Sequence, residues 1–186
     1  MIGMLSQSRG THGAAPGARW TYRRCSSMDA ELMVKMVEGA CPFASRSHMR
    51  VTRVGEDGNI TMILEDNPAN LNAFGLVHAG AICGLAETAG GMAIFNYLDP
   101  RDFVVLNSIL NIRFIAMPKG ELRCTARCSG DEALALLEEY RIFGKADKAM
   151  DLKVLDSAGK TVAQAQATFR LMATPEEFKE YFARMM

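Results

Sequence analysis

Apolar and polar positions recur with two different periods along this chain, and the changes of period mark its elements. From Asp29, Leu32, Met33, Met36 and Val37 fall at helical spacing, and Gly39 with Pro42 supplies a stop signal, which predicts a first helix of about three turns. Residues 49–54 and 59–65 alternate as strands around Glu56-Asp57-Gly58, where Asp-Gly favours a hairpin turn. An Asn- and Pro-rich loop covers 66–75, and the longest helical candidate follows, from His78 to Leu98, closed by Asp99-Pro100. Strand-like runs occupy 103–116, 121–129 and 146–156, the last joined through Ala158-Gly159 to a run at 162–172. Between 129 and 146, Leu134, Leu137, Glu138 and Arg141 keep helical spacing with acidic residues in the first turn, the pattern of a short inserted helix at 131–143. Thr174-Pro175-Glu176-Glu177 joins a capping box to a proline at the first helical position, predicting a terminal helix that packs Phe178 and Phe182 with Tyr181 beside them. This order of elements predicts an α+β protein with an antiparallel sheet and one central helix.

Composition narrows the function classes. The 186 residues are 49% hydrophobic and 23% charged, with 21 basic and 21 acidic side chains, the balance of one soluble globular domain. Without a basic surplus, nucleic acid is not expected as a partner. The best apolar stretch, 76–98, carries His78, Glu87 and Asn96, so no membrane span is expected. Five cysteines without a C-x-x-C pair fit neither a disulfide framework nor a zinc site, which predicts a reducing, cytoplasmic compartment and no metal or other cofactor. Cys124 and Cys128 lie in an alternating run, about 13 Å apart along a strand, and read as core side chains on one sheet face. Residues 1–27 differ from the rest: Arg9, Arg19, Arg23 and Arg24 stand among Ser, Gly and Ala with no acid, the composition of a flexible basic extension or of an organellar transit peptide. The remaining 28–186 then form the folded domain, mildly acidic with 17 basic against 21 acidic side chains.

Candidate chemistry concentrates on the central helix. Gly80, Gly84, Glu87 and Gly91 fall at i, i+4, i+7 and i+11, so one carboxylate lies on a stripe of glycines, opposite an apolar stripe of Ile82, Leu85, Ala86, Ala89, Met92 and Ala93. Glycines weaken a helix, so something is expected to approach that stripe closely: a helix, a sheet face or a substrate. Glu87 is the one charged side chain between His78 and Asp99, unlike the polar side of a solvated helix. His78 and Glu87, nine residues apart, point to opposite faces about 13 Å apart along the axis and cannot serve one reacting atom within one chain. The helix start offers the N–H groups of Ala79 and Gly80 with the positive end of the helix dipole, a site for an oxyanion. For Glu87 to act on a carbonyl held there, it must come from a second copy, which predicts a dimer with shared sites. For His78 itself, a loop-closing side chain bonded to backbone is an equal alternative.

The segment 72–91, Asn-Ala-Phe-Gly-Leu-Val-His-Ala-Gly-Ala-Ile-Cys-Gly-Leu-Ala-Glu-Thr-Ala-Gly-Gly, resembles the signature of hotdog-fold acyl-CoA thioesterases of the phenylacetate-pathway (PaaI-like) type, in which an Asn-x-x-Gly-x-x-His-Gly-Gly turn opens the central helix and an acid follows nine residues after the His. The strand with Asn111-Ile112-Arg113-Phe114 and the turn Met117-Pro118-Lys119-Gly120 resemble the family's next elements. The resemblance covers about 49–172 and implies a hotdog fold, an antiparallel sheet of five to six strands wrapped around one long central helix. It implies Glu87 as the catalytic carboxylate, the Ala79 N–H as the group polarising a thioester carbonyl, with Gly80 and His78 in the same turn, and Asn72 as a holder of water or substrate. Phe74 and Gly75 on the turn, and Asn107 or Ser108 on the following strand, are the implied substrate contacts. Ala79 stands where the family usually has glycine and Glu87 where this branch more often has Asp; alanine keeps the donor N–H, and some hotdog thioesterases use Glu.

The expected activity is therefore hydrolysis of an acyl-CoA thioester by a homodimer or a dimer of dimers. A carboxylate against an apolar, glycine-lined site has its pKa raised by desolvation and acts as a base or a nucleophile near neutral pH. Arg101, Arg113, Lys119 and Arg123 are candidate partners for the phosphates of coenzyme A. The alternatives are a non-catalytic module that binds acyl-CoA, and a hydroxyacyl-thioester dehydratase, which fits worse because it needs a His and an acid in one site at another spacing.

Overall fold

A computed structural model describes residues 28–185, so the basic extension expected over 1–27 lies outside the described residues. The N-terminal helical run is divided. Helix α1 (Ala30–Val34), capped by the Asp29 side chain, passes into a π-helical turn (Lys35–Gly39), and Pro42 then opens helix α2 (Pro42–Arg46) as its first residue. The proline read as a stop signal thus also starts the next helix, where its missing N–H has no consequence. Strands β1 (Met49–Val54) and β2 (Asn59–Leu64) form the expected antiparallel hairpin across the Asp57-Gly58 turn, with Gly58 at φ +80°.

Helix α3 (Ala79–Phe95) is the central helix, followed by β3 (Phe103–Phe114), β4 (Leu122–Arg127), the inserted helix α4 (Gly130–Phe143), β5 (Ala146–Asp156), β6 (Thr161–Ala173) and α5 (Glu176–Met185). The six strands form one antiparallel sheet in the order β1-β2-β4-β5-β6-β3. Its inner face closes on α3: Ile60, Met62 and Leu64 of β2, Leu122 and Cys124 of β4, Leu152 and Val154 of β5 and Phe169 of β6 join Ile82, Leu85, Ala89 and Ala93 in a single core. Cys124 and Cys128 are both buried, as the alternation of their run implies. Phe178 differs from expectation. It is half exposed at the start of α5 instead of packed, while Phe182 is partly buried.

The two edges of the sheet are unlike. On β1, the π turn aims Glu38 at the edge, where its carboxylate accepts from the Val51 N–H (3.0 Å) and pairs with Arg50 (3.3 Å), and the strand carries a bulge between Val51 and Arg53. On β3, twelve residues long, the outer edge pairs with no strand among the described residues, and the strand displays Leu106 (53% exposed) and Ile109 (52% exposed).

Candidate active site

The turn entering α3 is held by its own side chains. Asn72 Oδ1 accepts from the N–H groups of Phe74 (2.9 Å) and Leu76 (3.2 Å), and the Asn72 N–H donates to the Leu76 carbonyl (2.8 Å). Gly75, at φ +70°, completes this closed turn, a backbone conformation that L side chains rarely adopt. Among the described residues no hydrogen bond engages the carboxamide NH2 of Asn72. Phe74, at the tip, is 86% exposed. The Val77 N–H reaches the Pro118 carbonyl (3.3 Å), which ties the turn to the loop after β3.

His78 caps the helix: its Nδ1 accepts from the Gly80 N–H at 2.9 Å. The neutral ring therefore carries its proton on Nε2. Of the two N–H groups expected to hold an oxyanion, that of Gly80 is taken by His78, and that of Ala79, the first residue of the helix, has no partner among the described residues. The loop-closing alternative for His78 is the geometry observed.

Glu87 lies two turns further along α3. The helix face around it carries Cys83, Gly84, Thr88 and Gly91, all partly exposed, while Ala81, Ile82, Leu85, Ala86, Ala89 and Gly90 are buried. Burial raises the Glu87 carboxyl above the usual range, and the Thr88 hydroxyl, donating to Oε2 at 3.3 Å, offsets part of that rise. Burial likewise raises the Cys83 thiol, which disfavours its thiolate. Thr88 is a site residue that the sequence reading missed; only its adjacency to Glu87 could have signalled it.

The glycines have identifiable neighbours. A Cβ on Gly84 would stand 2.6 Å from the Phe43 ring of α2, and one on Gly90 would stand 2.5 Å from the Phe169 ring of β6, whereas Gly91 has ordinary room at 3.6 Å. The close approach is thus by α2 and the sheet. Over Gly80, among the described residues, stands only the His78 ring.

Asn107 and Ser108 sit at a β-bulge of β3. Asn107 Nδ2 donates to the Ile109 carbonyl (3.2 Å) and Ser108 Oγ to the Thr168 carbonyl (3.0 Å). Asn107 is in register with the buried Phe169 and shares its helix-facing side of the sheet. Neither bonds Glu87, whose hydrogen-bond partner among the described residues is Thr88. Arg101 is occupied by Asp99, while Arg113 and Arg123 are exposed on β3 and β4 and Lys119 on the loop between them. Among the described residues no group of three or more His, Cys, Asp or Glu side chains converges as a metal site would require, and no helix is long and apolar enough to cross a membrane.

A family model described as a domain of unknown function (DUF4442) matches residues 29–171. The chain belongs to the DUF4442 family. No curated protein matches this DUF4442 chain. Among solved structures it resembles PA5026 of Pseudomonas aeruginosa, which carries the name "Probable Thioesterase", at 27% identity and a TM-score of 0.72 over 80% of this chain and 99% of that one. It also resembles the thioesterase PA1618 of the same organism, at 18% identity and TM-score 0.63 over 78% and 95% of the two chains. The thioesterase HI1161 of Haemophilus influenzae is similar at 14% identity and TM-score 0.62, over 81% and 94%. The fold is the hotdog fold of these thioesterases: six antiparallel strands around one long helix, as the resemblance of the 72–91 segment implied.

Proposed function

We propose that this DUF4442 protein hydrolyses acyl-CoA thioesters, with Glu87 as base or nucleophile and the Ala79 N–H as the oxyanion donor. The observation that carries the reading is Glu87 itself: a mostly buried carboxylate with a raised pKa on a helix face of small residues, in the fold of thioesterases. Small neighbours leave a carbonyl room to approach, and a carboxyl titrating closer to neutrality is a stronger base than an ordinary glutamate.

Ala79 and Glu87 are eight residues apart, about 12 Å along α3. One carbonyl cannot meet both groups of a single helix. Two copies related by a two-fold axis, joined along the bare β3 edge, would bring the Ala79 N–H of one to the Glu87 of the other. The exposed Leu106 and Ile109 on that edge support such a partner, since a long apolar edge strand left open invites strand pairing. In the reaction, Glu87 takes a proton from water as the water oxygen attacks the thioester carbon, or attacks that carbon directly and leaves an anhydride for water to cleave. The Ala79 N–H stabilises the developing oxyanion, the C–S bond breaks, and the thiolate takes up a proton.

Thiol release from a panel of short, long and aromatic acyl-CoA thioesters tests the reading. Glu87→Gln is expected to lower turnover about a hundredfold or more while the fold persists. Tight acyl-CoA binding without turnover by the wild type would instead make this chain a binding module. Single turnover in heavy-oxygen water tests for direct attack: cleavage of the anhydride at the Glu87 carboxyl carbon leaves the heavy oxygen in Glu87 and an unlabelled Glu87 oxygen in the first product, whereas water attacking the thioester carbon labels the product and not Glu87.

A further inference from the structure

The outer face of the sheet, turned away from α3, carries a polar cavity that the hydrolytic reading does not use. Its side chains stand in two cross-strand rows. Arg113, Gln164 and Lys153 form one across β3, β6 and β5, and Asn111, Gln166 and Asp151 form the next. Directly opposed residues are about 5 Å apart, so Arg113 and Lys153 flank Gln164 with their backbones about 10 Å from each other, within reach of one common anion. Neither cation has an ion-pair partner among the described residues, whereas Arg170 and Lys148 on the same strands are paired with Asp147 and Glu132.

A break in the ladder makes room. Strands β4 and β5 pair from Leu122↔Asp156 to Cys124↔Val154 and no further, although both continue, so Thr125 forms one lip of a cleft and Asp151 and Lys153 the other. The cavity there is about 700 Å³, within the size range of small-molecule sites. Its floor is the backbone of Ile112, Leu152 and Ala165, whose side chains point to the inner face.

The chemistry of the two rows is unequal. Two cations around a carboxamide suit a phosphoryl group. Asp151 at the far corner would repel a bare anion, but with Asn111 and Gln166 it can accept from hydroxyl groups. We propose that this cavity binds a phosphate ester bearing free hydroxyls, of the nucleotide or sugar-phosphate class, with its phosphoryl end between Arg113 and Lys153 and its hydroxyls over Asp151. The site does not depend on Glu87 or on thioester hydrolysis.

Titration calorimetry of the full chain with ADP, ribose 5-phosphate and inorganic phosphate tests this. Both esters are expected to bind more tightly than inorganic phosphate, and Arg113→Ala and Lys153→Ala each to weaken ester binding about tenfold or more. Asp151→Asn should weaken the esters and not inorganic phosphate. Arg127→Ala, on the same outer face but not lining the cavity, should bind as the wild type does, and so should Glu87→Gln. Competition of coenzyme A with ADP would identify the nucleotide end of a thioester substrate as the occupant; its absence would identify a free phosphate ester. The proposal is overturned if no probe binds, if Arg127→Ala weakens binding as much as Arg113→Ala does, or if Arg113→Ala and Lys153→Ala change the oligomeric mass while no ester binds, which would make the face a contact between copies of this chain.

Discussion

Glu87 has few ways of being solvated. Its helical neighbours are glycine, alanine, cysteine and threonine, and the Thr88 hydroxyl is its hydrogen-bond donor. A carboxyl whose folded pKa lies above its unfolded value makes the fold less stable as pH rises through the interval between them, and leaves a constant penalty above it. Glu87→Gln is therefore expected to melt at a higher temperature than the wild type at pH 7, with the difference vanishing at acid pH where both side chains are neutral. The wild-type pH–rate profile should show its acidic limb displaced above the ordinary glutamate range. A wild type that melts above the variant at neutral pH would contradict the burial of this charge. At this scale the sequence was informative about identity and poor about bonding. The isolation of Glu87 among small residues is visible in one dimension. The occupation of the Gly80 N–H depends on which way the His78 ring turns, and no spacing rule reports that.

Two elements carry consequences of their own. In α3, Gly90 and Gly91 look equivalent in sequence, and exchanging either for alanine should gain about 1 kcal/mol of helix propensity. At Gly90 the added methyl would meet the buried Phe169 ring at 2.5 Å, with Leu152 at 3.2 Å, and overpacking of about 1–3 kcal/mol outweighs the gain. Gly90→Ala is thus expected to lower the melting temperature and Gly91→Ala to raise or preserve it, compared by thermal unfolding. In α4, Ser129 and Glu132 form a reciprocal capping box, and Lys148 Nζ lies 2.6 Å from Glu132. That lysine, with the Ser129 backbone N–H, holds the Glu132 carboxyl down at about 2. Its stabilisation is present above the ordinary glutamate pKa and lost as pH falls from about 4.5 towards 2. The melting-temperature gap between wild type and Glu132→Gln should accordingly shrink through that window and close at its lower end. The inserted helix was readable because helical spacing and an acidic first turn are local signals, to which the structure adds the Ser129 cap and Gly144. The π turn was not: its Glu38 carboxylate bonds the Val51 N–H of β1, a contact between elements that local spacing does not report.

For the whole molecule, local patterns predicted each strand but not the order β1-β2-β4-β5-β6-β3, since alternation shows which face a residue takes and not which neighbour it pairs with. The same limit applies to the proposed sharing of a site between copies. Ala79→Pro offers a direct test. Proline is tolerated at the first helical position, and His78 already has the extended backbone (ψ 136°) that a following proline requires, so the change removes one N–H and little else. Ala79→Pro and Glu87→Gln should each be inactive alone. If each site takes one group from each copy, mixed dimers contain one intact site, and an equal mixture after subunit exchange should recover roughly a quarter of wild-type activity. A mixture as inactive as its components would overturn the pairing of Ala79 and Glu87 across two copies.

The dissimilar sheet edges set the size of what this chain can build. A sheet with two open edges is a repeating unit: each added copy offers another free strand, and growth stops only when material runs out. Here Glu38 already occupies the Val51 N–H and the bulge turns β1 aside, so a copy joined at β3 presents only blunted strands to the next. Should copies pair along β3 as proposed, the carboxylate held by the π turn would act as a chain terminator and keep the assembly a finite pair instead of a ribbon.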